Sequence, residues 1–217
     1  MKNILIFGDS NVWGYDAERY LPELNVCQRM SETERWPGIV RSMLGPDYNI
    51  IEDALNGRTV MQEDPYNPYR RGLIGLRVSL DVNAPLDVVV LHLGCNELKN
   101  YFHLTADMIA YGMEKLVQEC RNRYYGYPAP KILLLAPAPT HPDIGQLRSA
   151  GRFSADAYSR SLEFGRLYRD VANRCHTEFI DCGALDFEIN ALDGLHYCKA
   201  DHAKLAPVVA ARLREMV

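Results

Sequence analysis

Four short stretches of this 217-residue chain hold residue types that, brought together, would perform acyl transfer. They are Gly8-Asp9-Ser10-Asn11, Asn56-Gly57, Gly94-Cys95-Asn96-Glu97 and Asp193-Gly194-Leu195-His196. A serine hydroxyl is a weak nucleophile until a base within hydrogen-bond reach takes its proton. His196 is the candidate base for Ser10. Asp193 precedes it by three residues with Gly194 between, so one tight turn can set a carboxylate against one ring nitrogen and leave the other for the serine. Attack on an ester carbonyl creates an oxyanion. The backbone N–H of Ser10, the backbone N–H of Gly57 and the side-chain amide of Asn96 are the candidate donors to it.

Taken singly, each stretch is ordinary. Gly, Asp, Ser and Asn are common turn formers, and Asn-Gly is a common turn pair. His196 has five rivals. His92 sits in or at the end of an apolar run and reads as packed. His103, His141 and His176 lack the short carboxylate spacing, and His202 follows Asp201 with side chains that point apart. Acyl-transfer chemistry requires all four stretches to fall on one edge of the fold.

The elements that would place them there are legible. Lys2 to Phe7, Tyr48 to Glu52, Leu86 to Leu91, Lys131 to Ala136 and Glu178 to Cys182 are apolar runs of the continuous kind that strands buried on both faces require. Between them lie helical stretches. One begins near Pro37 and stops at Gly45, and Arg71 to Leu80 forms another. A longer one is capped by Thr105, with Ile109, Met113, Leu116 and Val117 on one face. Asp156 to Arg174 reads as a further helix, and Asp201 as the cap of a last one with the stripe Leu205, Val209, Leu213 and Met216. Alternating strand and helix predicts an α/β fold with a parallel sheet covered on both sides, all strands ending on one edge. Ligands bind at that edge in such folds. The connections Val12 to Arg35, Ala54 to Arg70 and Pro137 to Gly151 are long and would wall a pocket or meet another subunit. Asn11, Trp13, Tyr15, Tyr66 and Tyr69 are the candidate pocket residues.

Composition limits the alternatives. With 47% apolar and 24% charged residues, the chain has the makeup of one globular domain over residues 1–217. A net charge of −4 argues against a nucleic-acid partner. The six cysteines, Cys27, Cys95, Cys120, Cys175, Cys182 and Cys198, form no Cys-x-x-Cys pair and read as reduced, packed thiols, with no metal and no cofactor expected. The first residues make neither a signal segment nor a membrane span, which predicts a cytoplasmic protein with no membrane partner.

Gly8-Asp9-Ser10, Gly57, Gly94-x-Asn96 and Asp193-x-x-His196 resemble the blocks of the SGNH (GDSL-type) hydrolase superfamily. Trp13-Gly14, Arg35-Trp36-Pro37-Gly38, Gly57-Arg58-Thr59 and Leu93-Gly94-x-Asn96-x-Leu98-Lys99 are similar to its small bacterial aryl esterase and acyltransferase branch. The resemblance implies a three-layer, flavodoxin-like fold with a five-stranded parallel sheet. It also implies hydrolysis or transfer of short acyl groups from small alcohol, aryl or carbohydrate esters through an acyl-enzyme, with Ser10, Asp193 and His196 as triad and Ser10, Gly57 and Asn96 as oxyanion hole. Homo-oligomers with neighbouring loops at the pocket are a further implication. Two positions depart from the pattern: Asn11 stands in place of Leu, with little effect expected, and Glu97 in place of Asp, where the added methylene would slightly displace the oxyanion hole if that carboxylate orients the Asn96 loop, changing the rate more than the chemistry. A thioesterase or lysophospholipase would share the same groups. A non-catalytic α/β protein holding an anion between Gly8 and Gly14 is the reading from another class.

Overall fold

The computed structural model describes residues 1–217, the side chain of Tyr124 excepted. Five strands form one parallel sheet: β1 (Lys2–Gly8), β4 (Tyr48–Ala54), β5 (Val88–His92), β6 (Lys131–Ala136) and β7 (Glu178–Asp181), in the order β4-β1-β5-β6-β7. Successive strand residues face opposite sides of a sheet, which is why the apolar runs are continuous. Leu5, Phe7, Val89, Leu91 and Leu134 pack on one side, against α3 (Gly72–Asn83), α4 (Ala106–Glu119) and α6 (Phe164–Cys175). Ile4, Ile6, Val88, Val90, Leu133 and Leu135 pack on the other, against α2 (Trp36–Leu44) and α7 (Lys199–Met216). The result is the expected three-layer α/β arrangement.

Register brings the strand ends level. Gly8 of β1 pairs with Ala54 of β4 on one side and His92 of β5 on the other. The chain therefore leaves all three strands on the same edge. Ser10 is carried there in the four-residue helix α1 (Ser10–Trp13).

Three local expectations change. The connection after α1 holds an antiparallel hairpin, β2 (Tyr15–Leu21) and β3 (Val26–Arg29), which its polar sequence concealed. The predicted helix over 156–174 is two, α5 (Asp156–Ser161) and α6. The Ser161 hydroxyl turns away to donate to the Tyr158 carbonyl and accept from Thr140 N–H, and the break leaves Leu162 exposed while Phe164 enters the core. Asp201 is not the cap of α7. Cys198 is, and Asp201 sits one turn in, accepting from the N–H groups of Cys198, Glu188 and Ile189 at 3.0, 2.8 and 3.1 Å. Five of the six unpaired cysteines are buried. Among the described residues no helix is long and apolar enough to cross a membrane, and no cluster of three or more His, Cys, Asp or Glu side chains could hold a metal.

The end of β3, the turn before α2 and α2 itself are tied to the sheet by charge at one residue. Glu52 of β4 receives Arg35 at 2.7 Å, Arg41 at 2.9 Å and Arg29 at 3.0 Å. Burial works to raise the Glu52 pKa, but the hydrogen bonds from Arg35 and the charges of Arg35, Arg41 and Arg29 outweigh it and hold the carboxyl below its ordinary value. Glu52→Gln should therefore destabilise the protein by about 2 kcal/mol in urea unfolding at neutral pH. A carboxyl with a lowered folded pKa stabilises above its unfolded pKa and loses that contribution as acid takes it through the folded value. The variant should lack this part of the acid-induced loss.

Candidate active site

The cap at the start of α1 holds Ser10 in place. The Asp9 carboxylate accepts from Asn11 N–H at 2.9 Å, and the N–H of Gly14 closes the turn on the Ser10 carbonyl at 3.0 Å. Asn11 then ties this turn to the far end of the chain, its Oδ1 accepting from Tyr197 N–H at 3.0 Å. The His196 loop is thereby laid against the serine. His196 Nε2 lies 2.9 Å from Ser10 Oγ, and its Nδ1 lies 2.7 Å from Asp193 Oδ2. Asp193 Oδ1 also accepts from the N–H groups of Leu195 and His196 at 2.9 and 3.1 Å. Burial works to raise the Asp193 pKa, but the His196 charge and these hydrogen bonds overcome it and bring the carboxyl to about 2. An ionised Asp193 accepts only, so Nδ1 carries the imidazole proton and Nε2 is the acceptor for the serine hydroxyl. The Tyr15 ring stacks on the imidazole with centroids 3.9 Å apart, which restrains its tilt.

The second and third loops complete the edge. Gly57 has φ +78, a left-handed backbone that a side chain would strain. Gly94 has φ +130, and a Cβ there would lie 2.2 Å from the Tyr168 hydroxyl. The two loops are joined by Asn96, whose Nδ2 donates to the Arg58 carbonyl at 3.1 Å. An amide nitrogen has two hydrogens, so one remains. Among the described residues the backbone N–H groups of Ser10 and Gly57 make no intramolecular hydrogen bond. Ser10, His196, Gly57 and Asn96 line one cavity of about 550 Å3. Arg58 braces it from behind, donating to the Gly8 and Asp53 carbonyls at 3.0 and 2.6 Å and to Asp53 Oδ1 at 2.7 Å. A larger hollow of about 720 Å3 beside His103 and Asp156 contains neither Ser10 nor His196.

Of the expected pocket residues, Tyr15 lines the cavity and the others do not. Asn11 is buried as a tie between loops. Trp13 lies under the Arg29 guanidinium, 5.3 Å from its ring centroid. Tyr66 and Tyr69 are 74% and 87% exposed. The reason is Asp64, which accepts from the N–H groups of Tyr66 and Asn67 at 2.9 and 3.2 Å and curls the loop so that Asn67 and Arg70 face inward. Asp64 also forms a buried ion pair with Lys99 at 2.8 Å, a pairing for which the sequence has no local signal. His92 and His202 are buried, and burial brings each imidazole down to about 3. His92 bonds the Tyr197 hydroxyl at 3.0 Å, and His202 Nδ1 accepts from Trp36 N–H at 3.1 Å. Both are packing groups. His141 does have a nearby carboxylate, Asp143 at 3.8 Å, but it is not among the residues lining the Ser10 cavity.

Glu97 is the departure with consequences. Its Oε1 accepts from Val60 N–H, which bridges the Gly57 and Asn96 loops, while Oε2 is buried with no hydrogen-bond partner. Burial raises its pKa from 4.5 to about 8. A raised carboxyl pKa means the folded state holds a proton that the unfolded state gives up, so stability is full below pH 4.5 and is lost as pH rises towards 8. Glu97→Gln should flatten this part of the pH–stability curve, as read from urea midpoints across that interval.

Comparison with known proteins identifies the family and the fold. The sequence profile of the GDSL-like lipase/acylhydrolase family matches residues 6–204. A carbohydrate acetylesterase from Sinorhizobium meliloti is similar over 100% of both chains, with 32% identity and a TM-score of 0.89. The native aryl esterase of M. smegmatis is similar over 100% of both, with 31% identity and a TM-score of 0.88. A lipase/acylhydrolase from Enterococcus faecalis shares the fold at 17% identity and a TM-score of 0.66, over 99% of this chain and 96% of its own. No curated protein shows significant similarity to the chain. The chain belongs to the GDSL-like lipase/acylhydrolase family and is a carboxylic ester hydrolase of the SGNH type.

Proposed function

We propose that this esterase removes or transfers short acyl groups such as acetyl from small alcohol, aryl or carbohydrate esters, through an acyl-enzyme on Ser10. The observation that carries the assignment is the Ser10–His196–Asp193 relay, with contacts of 2.9 and 2.7 Å, beside two unbonded backbone N–H groups. Similarity to an acetylesterase and an aryl esterase supports the short acyl group and the kinds of alcohol. Family membership sets aside the non-catalytic anion-binding reading.

In the first half-reaction Ser10 Oγ bonds to the ester carbonyl carbon as its proton passes to His196 Nε2. The carbonyl π electrons move onto oxygen, where the N–H groups of Ser10 and Gly57 and the free Asn96 hydrogen receive them. The intermediate collapses, the alkoxide leaves with the proton from His196, and Ser10 carries the acyl group. In the second half, water gives a proton to His196 and attacks the acyl carbon. Carboxylic acid departs, and Ser10 recovers its proton. An acceptor alcohol in place of water yields a new ester. Asp193 stays ionised throughout and stabilises the imidazolium.

A sulfonyl fluoride should label Ser10 stoichiometrically. Ser10→Ala should lose both labelling and p-nitrophenyl acetate cleavage, by roughly 10,000-fold or more. Full activity in that variant would remove the nucleophile. Asn96→Ala should lower kcat on the order of a hundredfold with little change in KM, because its free hydrogen meets charge only in the transition state. A rise in KM at constant kcat would instead mark Asn96 as a ground-state binder.

A further inference from the structure

The cavity that holds Ser10 is cationic in a chain whose net charge is −4. Arg70, Lys99, Arg148 and Arg152 line it, and no aspartate or glutamate does. The charge of Lys99 is neutralised by Asp64 at 2.8 Å. The three arginines form no ion pair among the described residues, whereas Arg29, Arg35 and Arg41 converge on Glu52. Arg70 donates from Nη1 to the Pro68 carbonyl at 3.3 Å, while its Nε is buried with no hydrogen-bond partner. That Nε lies beside Gly57, since a Cβ built on Gly57 would be 3.6 Å from it. Arg148 is held in place by the Ala17 carbonyl at 3.0 Å and lies over the Tyr20 ring at 4.8 Å, so its charge is positioned without being neutralised. Arg152 is exposed on the same wall.

Like charges in a concave site repel one another and concentrate a positive potential that an anion relieves. Guanidinium groups present paired donors that match a carboxylate or phosphate. We propose that the cavity beside Ser10 binds the anionic group of its substrate, an ester bearing a carboxylate or phosphate that Arg70, Arg148 and Arg152 receive. This rests on the esterase reading of the same cavity and narrows its substrate class.

The test compares kcat/KM for charged and neutral esters of matched shape. Ring-carboxylated p-nitrophenyl acetate is set against p-nitrophenyl acetate, and mono-p-nitrophenyl glutarate against p-nitrophenyl pentanoate. At low salt at least one charged ester should exceed its neutral partner on the order of tenfold. The pair that shows it names the alcohol or the acyl side as the one held. The preference should shrink as salt is raised and should fall in Arg152→Gln and further in the Arg148→Gln, Arg152→Gln double variant. Competitive inhibition by phenyl phosphate stronger than by benzoate would assign the anion as phosphate, and the reverse as carboxylate. Ratios at or below one in both pairs, unmoved by salt and by either variant, overturn the proposal. If the wild-type protein cleaves no ester at all, the esterase reading is what fails. Calorimetric titration of phenyl phosphate and benzoate into Ser10→Ala then decides the anion site. Saturable binding of either that is lost on adding Arg152→Gln upholds it, and no binding of either overturns it.

Discussion

A hydrogen bond between Asn11 Oδ1 and Tyr197 N–H, 3.0 Å long, joins positions 186 residues apart and brings the Ser10 and His196 turns together. The sheet supplies the platform, since parallel pairing of β1 with β4 and β5 brings Gly8, Ala54 and His92 level. Asn11 converts that platform into a distance. Its carbonyl accepts from Trp36 Nε1 at 3.1 Å, and Trp36 N–H in turn reaches His202. Tyr197 bonds His92 and accepts from Ala138 N–H, both at 3.0 Å. Helices α2 and α7 therefore brace the serine and histidine turns through one buried polar network. Each link removes one way the two turns could shift relative to each other, although His92 Nδ1 and His202 Nε2 are buried without a hydrogen-bond partner.

The same edge carries groups that folding alone would not favour. Asp9 is fully buried, and burial raises its carboxyl to about 6 despite the bond from Asn11 N–H and the nearby charges of His196, Arg58 and Lys99. Glu97 is buried with one oxygen unpartnered. Arg70 Nε, in the wall of the Ser10 cavity, is buried with no hydrogen-bond partner. Polar groups removed from water without full compensation lower stability, and they persist where a site needs them. Glu97 illustrates the exchange: its carboxyl links the Gly57 and Asn96 loops through Val60 N–H and leaves Oε2 unsatisfied.

How far the sequence reaches differs from element to element. The buried strands are readable because both sheet faces are covered, so consecutive central positions such as Ile4 to Phe7, Val88 to Leu91 and Ile132 to Leu135 are apolar. Helix α2 was readable from Pro37 and Gly45, and α4 from Thr105, whose hydroxyl accepts from Met108 N–H at 3.3 Å. The β2–β3 hairpin was not, because its exposed residues Glu18, Val26, Gln28 and Arg29 and its buried Asp16 break the apolar alternation, and its tie to Glu52 through Arg29 joins positions 23 residues apart. The wall residues were misplaced by one position, Asn67 for Tyr66 and Arg70 for Tyr69, because the curl imposed by Asp64 depends on a lysine 35 residues further on.

From its letters alone the chain offers candidate reacting groups and their order: Ser10, Gly57, Asn96, then Asp193 and His196. Residue type decides which atoms can attack, donate or accept, and short spacing decides that Asp193 can meet His196 within one turn. What only folding decided is the environment of those groups. The approach of Nε2 to Oγ, the arginine-lined cavity and the inward face of each loop arise from contacts between segments distant along the polymer. Their geometry is set by strand register, buried charge and the packing of helices on both faces, none of which any local stretch of sequence contains.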